Sequence, residues 1–494
     1  MDLPGRSECC WIACAPETAY PRLQKSGNAE VAIIGAGIVG LSAAYVLARA
    51  GIPVTVLEAR KIGRQVTGRS TAKITSQHAL IYGHLIRKFG VDLARVYADA
   101  NQTAVARICQ WIGDANIACD LERKDAYAYT CKAMRRTSIE AEAAVARSLG
   151  LQAEVLRSAP LPFATAGALR FRDQAQFNPA QYLVGLAAAV EHSGGRVFED
   201  TRVTSVKPRK RWRVTAGRHH IDTEHVVLAT NLPIAGPIHF DELTQPRCHI
   251  VMAFRATPGQ SIDGMFIDID RPTHSLRMGR DAEGPLLVIL GPKFKTGQDG
   301  DVARRFRQLE RWVRGNVPAG DVAWRWVNED YDSPDRVPFV GESLPKAPGL
   351  YVATGFNGWG ISNGTAAGMT IADQIRDRAN PWSALYNPAR SAPKHFNQAG
   401  ESKSLTRSVD AIPAGQGGVI KRGKEKIAVF KSVDGKRHAV SASCTHMGCT
   451  VTWNNASLTW DCPCHGSMFS YDGQVIHGPA TKPLAPKKLA SDRS

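Results

Sequence analysis

The chain has 494 residues, a length that suggests two to four domains. Hydrophobic residues make up 44% of the chain and charged residues 22%, which excludes a disordered, collagen-like or coiled-coil protein. No run approaches the roughly 18 uncharged apolar residues of a membrane helix, so no membrane span is predicted. No basic region followed by an apolar run opens the chain, so we expect no secretory signal and a cytoplasmic location.

The net charge of +17 comes from 62 Lys and Arg against 45 Asp and Glu. Such an excess is found in proteins that bind nucleic acid, anionic surfaces or acidic proteins. The basic residues are scattered, however, and the densest group is residues 421–426 (KRGKEK). A solvated basic face explains this distribution better than a nucleic-acid site, and no nucleic-acid binding is predicted.

The chain divides into two main parts. Short apolar strands alternate with helical stretches over most of its length, which is typical of a parallel sheet in an α/β domain. Near the C-terminus, short alternating runs separated by turn signals such as Asp434-Gly435 predict a small all-β domain. The stretch between them is rich in Pro, Asn, Ser and Gly without periodicity, so it is predicted to be a linker. The predicted boundaries are an N-terminal extension (1–28), an α/β domain (29–380), a linker (381–403) and an all-β domain (404–494).

A glycine motif follows the first predicted strand, residues 30–34. Gly35, Gly37 and Gly40 form the pattern GxGxxG and lead directly into a predicted helix. A second strand ends at Glu58, 18 residues after Gly40. The glycines allow a tight turn and close approach to a pyrophosphate, the helix N-terminus attracts its charge, and Glu58 can accept both ribose hydroxyls. The arrangement predicts a dinucleotide site, and Glu58 argues against the 2′-phosphate of NADP.

Later segments distinguish FAD from NAD. Residues 225–230 are predicted to be another strand of the same sheet, and residues 350–355 a further strand that enters a glycine-rich turn and a helix. A second helix N-terminus can contact a flavin ring, and this late strand–turn–helix supplies one. The sequence has no second GxGxxG motif after a strand. We therefore expect electrons to reach a flavin from an organic substrate rather than from NADH.

The long first part resembles the D-amino-acid oxidase-like superfamily of FAD-dependent oxidoreductases, which includes glycine and sarcosine oxidases. The resemblance is carried by the glycine motif, the strand at 226–230, the DRVPFVG segment at 335–341 and the turn at 355–364. It implies an α/β fold: a Rossmann-like doubly wound sheet that binds FAD, with an inserted α+β substrate domain. The substrate-domain segments would be residues 76–160 and 245–330, approximately.

The resemblance also implies which residues contact FAD. Glu58 would hold the adenosine ribose, and the Val203 backbone would contact adenine. Thr71 and Lys73 would lie near the flavin ring, and Lys73 is also a catalytic candidate. Because the candidate attachment loops carry neither Cys nor His, FAD is predicted to be bound non-covalently. The full set of predicted FAD contacts is Gly35, Gly37, Gly40, Glu58, Ala59, Arg60, Thr71, Lys73, Val203, Gly355, Asn357, Gly358, Gly360 and Ile361.

Arg277 and Arg280 are the candidates for substrate binding. They stand where relatives in this superfamily often place a group that clamps a substrate carboxylate, a task for which a bidentate guanidinium is well suited. The alternative is that they are exposed strand arginines. The expected substrate is a small amine, amino acid or hydroxy acid oxidised by hydride transfer. Because pocket shape matters more than a dedicated base in such reactions, the sequence does not name the compound.

Two short loops near the C-terminus concentrate cysteine and histidine. Residues 444–449 read CTHMGC and, after 12 residues, residues 462–467 read CPCHGS. Such residues can bind structural zinc, but the CxH spacing and the CPCHGS string make poor zinc-finger loops. The double loop resembles the Rieske [2Fe–2S] domain, in which two thiolates hold one iron and two imidazoles the other.

The Rieske resemblance implies a role for each of six residues. The cluster ligands would be Cys444, His446, Cys462 and His465. Cys449 and Cys464 would form the disulfide that joins the two loops in one Rieske subclass.

The whole chain resembles bacterial FAD-dependent oxidoreductases with a C-terminal Rieske domain. We expect a dehydrogenase in which electrons pass from a small-molecule substrate to FAD and leave singly through the cluster. The expected acceptor is a ferredoxin-, flavodoxin- or cytochrome-type protein. Residues 401–494 carry 13 Lys and Arg against 7 Asp and Glu, which favours an acidic acceptor. Two alternatives are a reductase or oxygenase in which the cluster feeds the flavin, and a redox sensor with little catalysis.

Overall fold

The structure is a computed structural model that describes residues 3–259, 262–298, 300–343, 347–392 and 405–489. The helices are α1 (Cys10–Ala13), α2 (Ile38–Arg49), α3 (Tyr82–Asp114), α4 (Arg136–Ser148), α5 (Pro179–His192), α6 (Phe240–Leu243), α7 (Val302–Asn316), α8 (Gly360–Ile375) and α9 (Ser383–Tyr386), with a 3₁₀ turn at Ala133–Arg135. Across these described ranges, no helix has the length and apolar character needed to span a membrane.

Twenty-five strands form four sheets in the described part of the chain. The strands are β1 (Gly27–Ile34), β2 (Val54–Leu57), β3 (Lys73–Ile74), β4 (Glu122–Thr130), β5 (Ala153–Leu156), β6 (Gly167–Gln176), β7 (Arg196–Phe198), β8 (Val203–Pro208), β9 (Trp212–Ala216), β10 (His219–Leu228), β11 (Gln245–Arg255), β12 (Met265–Asp268), β13 (Ser275–Asp281), β14 (Gly284–Leu290), β15 (Phe294–Lys295), β16 (Val322–Asp332), β17 (Phe339–Glu342), β18 (Leu350–Thr354), β19 (Gln416–Arg422), β20 (Glu425–Lys431), β21 (Arg437–Ser441), β22 (Thr452–Asn454), β23 (Thr459–Asp461), β24 (Met468–Ser470) and β25 (Val475–His477).

The first sheet carries the glycine motif and has eight strands. Strands β7, β2, β1, β10 and β18 are parallel neighbours in that order, and β17 closes the sheet as an antiparallel edge. Val31 and Ile33 of β1 and Val56 of β2 are fully buried in a core that they share with residues of α2, α5 and α8. Helix α2 packs against both α5 and α8. The predicted doubly wound α/β sheet is confirmed.

The second sheet has ten strands and is mostly antiparallel, with one parallel pair between β12 and β4. Its central order is β15-β11-β14-β13-β12-β4-β6-β3, with β16 on β11 and β5 on β6. These strands come from the two predicted substrate-domain segments and from β3 and β6, which lie outside them. The sheet brings β16 alongside the first sheet, where its last residues reach the functional site.

Two small antiparallel sheets make up the C-terminal β part: β19-β20-β21 and β22-β23-β24-β25. Trp460 and Phe469 are fully buried in its core. The predicted all-β fold of this part is confirmed. Residues 462–467 connect β23 to β24, so the second cysteine–histidine loop is held between two paired strands.

The N-terminal extension packs into the molecule rather than lying outside it. Trp11 of α1 is buried, and its indole Nε1 donates a hydrogen bond to the Ser70 carbonyl at 2.9 Å. The indole ring also covers the Arg277 guanidinium, 4.6 Å from the ring centroid. This contact determines where Arg277 can reach.

The first half of the predicted linker is ordered against the α/β part. Residues 383–386 form α9, and Tyr386 is buried. Arg390 Nε lies 2.9 Å from the Asp335 carboxylate, and its guanidinium lies over the Phe339 ring. The described residues 381–392 are therefore part of the packed structure, and residues 393–403 of the predicted linker lie outside the described residues.

The C-terminal β part docks directly on the α/β part. The Tyr331 hydroxyl donates to the His465 carbonyl at 2.9 Å, and Asn455 Nδ2 donates to Asp301 Oδ1 at 3.0 Å. At the other side of the contact, Arg202 donates to the Val475 carbonyl at 3.0 Å. The backbones also meet closely, because a Cβ at Gly297 would lie 2.8 Å from the Pro463 nitrogen. This docking brings the two predicted cofactor regions together.

Candidate functional site

A cleft of about 620 Å³ lies where the parallel strands β1, β2, β10 and β18 end. Ligands of open α/β sheets bind outside the carboxyl ends of the strands, so this is the expected position for a dinucleotide. The cleft is lined by the glycine loop, the segment 58–73, the turn after β18 and residues 476–481 of the C-terminal β part. Both parts of the chain therefore form its wall.

The glycine loop has the backbone that a pyrophosphate requires. Gly35 has φ +104°, and a Cβ there would lie 2.5 Å from the Ala229 carbonyl oxygen. Gly37 is the N-cap of α2, and no side chain caps the helix from that position. Gly35 and Gly37 line the cleft, whereas Gly40 does not. Gly40 acts in packing, because its Cβ would lie 2.0 Å from the Gly35 oxygen.

Glu58 directly follows β2 and is buried at the edge of the cleft. Its carboxylate accepts hydrogen bonds from the backbone nitrogens of Ala36 at 3.0 Å and Arg60 at 2.9 Å. Burial raises the pKa of Glu58, and these two hydrogen bonds oppose the shift. Each carboxylate oxygen has a second lone pair, so the group can still accept ribose hydroxyls. Ala59, Arg60 and Val203 line the same end of the cleft.

We expect Glu58→Ala to weaken FAD binding by about tenfold or more, because hydrogen bonds to a charged acceptor contribute about 1.5–3 kcal/mol each. The measurement is the dissociation constant of FAD from the reconstituted apoprotein, followed by flavin fluorescence. Glu30→Ala is the matched control, since Glu30 is exposed on β1. Equal FAD affinity in the two variants would contradict the role given to Glu58.

The turn after β18 is held by the end of β16. The backbone nitrogen of Asn357 donates to the Tyr331 carbonyl at 3.0 Å, and that of Gly358 donates to Asp330 Oδ2 at 2.5 Å. Burial raises the pKa of Asp330 to about 7. Four of the predicted FAD contacts in this turn line the cleft: Asn357, Gly358, Gly360 and Ile361. The fifth, Gly355, does not. Gly355 instead permits the turn, with φ +79°.

Lys73 and Thr71 line the cleft on the side of the second sheet. Lys73 Nζ donates to the Phe266 carbonyl at 2.7 Å and to the Ser275 hydroxyl. Burial, followed by repulsion from Arg277, lowers the pKa of Lys73 to about 7. The amine is thus fixed in the wall of the cleft with a charge that changes near neutral pH.

Arg277 and Arg280 do not line the cleft. Ser275 of β13 reaches it, but Arg277, one step further on the same face of the strand, is buried under Trp11 and donates to the Phe177 carbonyl at 2.9 Å. Arg280 is exposed at the far end of β13. The predicted carboxylate clamp therefore does not agree with these positions. Cationic groups that do line the cleft include Lys73, Arg135, Arg271 and Lys293.

His78 lies beneath the turn after β18. Its Nδ1 is 2.7 Å from the Tyr97 hydroxyl, its Nε2 is 2.9 Å from the Thr75 carbonyl, and its ring stacks on Trp359. Burial lowers the pKa of His78 to about 3, so the imidazole is neutral. These contacts agree with a structural histidine that supports the turn.

The two cysteine–histidine loops bring four ligand-type groups together. Cys444 and Cys462 are buried thiols outside any disulfide, and the hydrogen bond between them lowers the pKa of Cys444 to about 6. The rings of His446 and His465 are 5.0 Å apart. Within the described residues, the Nδ1 atoms of both histidines are buried without a hydrogen-bond partner. Such buried, unpaired nitrogens beside two thiols fit an iron–sulfur cluster.

The remaining two cysteines of the loops form a disulfide. Cys449 and Cys464 are bonded, with their Cα atoms 6.5 Å apart. The pairing implied by the Rieske resemblance is confirmed. The disulfide ties the loop of residues 444–449 to that of residues 462–467 beside the four ligand-type groups.

Residues outside the loops orient them. Ser467 Oγ accepts from the Ala480 nitrogen at 3.0 Å and hydrogen-bonds the Cys444 thiol. Tyr331 is fully buried on β16, and its hydroxyl donates a hydrogen bond to the carbonyl oxygen of His465. Groups of this kind fix the direction of metal ligands. Tyr331 has no signal in the sequence, because it reaches the loop only through the docking of the two parts.

The fold and these two sites define a flavin-dependent oxidoreductase with an iron–sulfur centre. The chain belongs to the FAD dependent oxidoreductase family, whose model matches residues 30–374, and residues 403–488 match the Rieske [2Fe-2S] domain. Its cofactors are accordingly FAD and a Rieske-type [2Fe–2S] cluster. We use "flavin domain" and "Rieske domain" below for these two matched ranges.

Relatives cover both the whole chain and the flavin domain. A Bacillus subtilis (strain 168) protein named for a Rieske 2Fe-2S iron-sulfur centre, YhfW, is 30% identical over 495 residues and covers 97% of each chain. Gamma-glutamylputrescine oxidoreductase of Escherichia coli (strain K12) is 23% identical over 380 residues, which cover 74% of this chain and 88% of that protein. Glycine oxidase from Geobacillus kaustophilus has a similar structure, with a TM-score of 0.60 and 18% identity over 74% of this chain and 100% of its own.

Proposed function

We propose that this protein is a dehydrogenase for a small amine, amino acid or hydroxy acid, with an external one-electron acceptor. When bound, FAD supplies hydride acceptance from the substrate, and the cluster supplies one-electron transfer. The observation that carries the proposal is the shared cleft, since Ile476 to Thr481 of the Rieske domain form part of the wall around the flavin site. A separate partner protein would not be needed to bring the two centres together.

The geometry of the two sites supports the proposed ligands. The cluster ligands are Cys444 and Cys462 through sulfur and His446 and His465 through Nδ1, the atoms left without partners in the described structure. FAD is held non-covalently, with its adenosine end at Glu58 and Val203 and its ring near the turn after β18. In this arrangement Lys73 faces the ring from the second sheet.

The lining of the cleft favours a substrate that carries a carboxylate. Arg135, Arg271 and Lys293 line it, and Arg271 is exposed. A guanidinium can bind a carboxylate through two hydrogen bonds and so orient the carbon that loses hydride. The names of the relatives, which include an amine oxidoreductase and a glycine oxidase, agree with this class of substrate.

The surface beside the cluster loops supports an acidic acceptor. Met447, next to His446, is 65% exposed, so one side of the first loop is open to a partner. The Rieske region is also the basic end of the chain. Electrostatic steering would bring an acidic ferredoxin, flavodoxin or cytochrome to such a surface.

Anaerobic mixing tests the proposal. The holoprotein is mixed with a pool of amino acids, secondary amines and hydroxy acids, and flavin absorbance is recorded together with low-temperature EPR. We expect flavin bleaching, followed by the rhombic signal of a reduced Rieske centre. Dividing the pool would then identify the substrate.

The opposite result would be a flavin that stays oxidised while dithionite still produces the cluster signal. That outcome would overturn the dehydrogenase proposal. Reduction of the flavin by a ferredoxin system without organic donor would then identify the reductase or oxygenase alternative.

A further inference from the structure

A carboxylate of the flavin domain faces both candidate iron-ligand imidazoles. Asp241 lies in the short helix α6, between β10 and β11 of the flavin domain. Its Oδ2 is 4.0 Å from His446 Nε2 and 3.9 Å from His465 Nε2. One oxygen atom is therefore within ion-pair distance of two histidines from two different loops of the other domain.

The two nitrogens of each imidazole have different surroundings. In the described structure the Nδ1 atoms are buried without partners, whereas the Nε2 atoms point towards Asp241. The Asp241 side chain is only 13% exposed, so water screens its charge less than it would on an open surface. The Nδ1 atoms are thus free for iron, and Asp241 occupies the opposite edge of both rings.

We propose that Asp241 is a positioning residue that docks the flavin domain on the histidine edge of the cluster and lowers the reduction potential of the Rieske centre. Adding an electron to the cluster places negative charge near a fixed carboxylate, which disfavours the reduced form. The inference rests on the ligand set given under the proposed function, but not on any substrate. Because α6 belongs to the flavin domain, docking of the two domains itself sets the potential.

Asp241→Asn tests this inference in the full-length holoprotein. At a fixed ambient potential, we expect the ratio of reduced to oxidised cluster to increase at least tenfold. For a one-electron centre, this corresponds to a midpoint potential higher by about 59 mV. The readout is the midpoint potential from EPR-monitored reduction with dithionite and mediators, without organic substrate. A failure to find a substrate therefore leaves this test unaffected.

The controls separate local charge from net charge. Asp410→Asn removes one charge from an exposed site of the Rieske domain, where Asp410 pairs with Arg437, and is expected to leave the potential unchanged. Asp241→Glu keeps the charge and is expected to remain close to the parent protein. Asp241→Ser, the second neutral variant, supplies the measurement if the Asn variant does not retain two iron atoms per chain. A potential in the neutral Asp241 variants equal to that of Asp410→Asn would overturn the inference.

Discussion

Replacing Cys462 by Ser is expected to abolish the EPR signal of the reduced cluster while leaving the flavin absorbance intact. Cys462 is buried between β23 and β24, and its thiol is hydrogen-bonded to that of Cys444. The replacement therefore removes one of the four proposed cluster ligands. The proposed FAD contacts, which include Glu58 and the turn after β18, lie in the other domain. Under the proposed function, substrate still bleaches the flavin of the variant, but turnover with a one-electron protein acceptor falls to background.

Three measurements check this result: iron content with EPR, flavin bleaching under anaerobic conditions, and turnover with the protein acceptor. Cys131→Ser is the matched control, because Cys131 is an exposed cysteine of the flavin domain outside the disulfide. If Cys462→Ser retained full turnover with the protein acceptor, electrons would leave the flavin without the cluster. That outcome would contradict the proposed route and favour direct delivery from the flavin.

The sequence predicted the parts of the two sites that depend on local geometry. Gly35 and Glu58 are placed by one strand–turn–helix unit and the strand that follows, so their spacing already defines the site. The cysteines and histidines within each loop are likewise one to five positions apart, and the Rieske resemblance that they carry implies the disulfide between Cys449 and Cys464. In such motifs, residues that are close in the sequence are also close in space.

Residues placed by long-range packing have no local signal in the sequence. Arg277 lies on the expected strand, but Trp11 from the N-terminal extension covers it, and no local pattern shows that contact. Tyr331 and Asp241 reach the cluster loops only because the two domains dock, so neither has a signal in its own segment. The same docking places Ile476 to Thr481 in the cleft wall, a position that the periodicity of a small all-β domain does not reveal.

The interface between the domains also buries a carboxylate that is not neutralised by a cation. Glu329 of β16 is 4% exposed; its Oε1 accepts from the Thr296 hydroxyl at 2.8 Å, and its Oε2 has no hydrogen-bond partner among the described residues. Burial raises the pKa of Glu329 well above its ordinary value, and nearby Asp461 and Asp330 add to the shift. His477 Nε2 is 3.9 Å away, but burial lowers the pKa of His477 to about 4. Both groups are therefore neutral rather than an ion pair at pH values between these two pKa values.

This burial gives the stability a defined dependence on pH. The folded protein keeps a proton on Glu329 that the unfolded chain releases above the ordinary glutamate pKa, so stability falls as pH rises from that value to the raised pKa. Glu329→Gln removes the effect, because an amide has no proton to lose. The free energy of unfolding of Glu329→Gln is expected to exceed that of the parent protein by an amount that grows with pH in this window, by up to about 1.4 kcal/mol for each pH unit.

The comparison is made on the holoproteins by thermal unfolding at pH 5 and pH 8. We expect the midpoints of Glu329→Gln and the parent protein to differ little at pH 5 and the variant to unfold at a clearly higher temperature at pH 8. Any new hydrogen bond from the amide to His477 adds the same gain at both pH values, so the change with pH is the diagnostic quantity. Glu425→Gln, at an exposed ion pair with Lys487, is expected to show no such change. A constant difference between the Glu329 variant and the parent would mean that Glu329 is ionised in the folded protein and that the domain interface stabilises its charge.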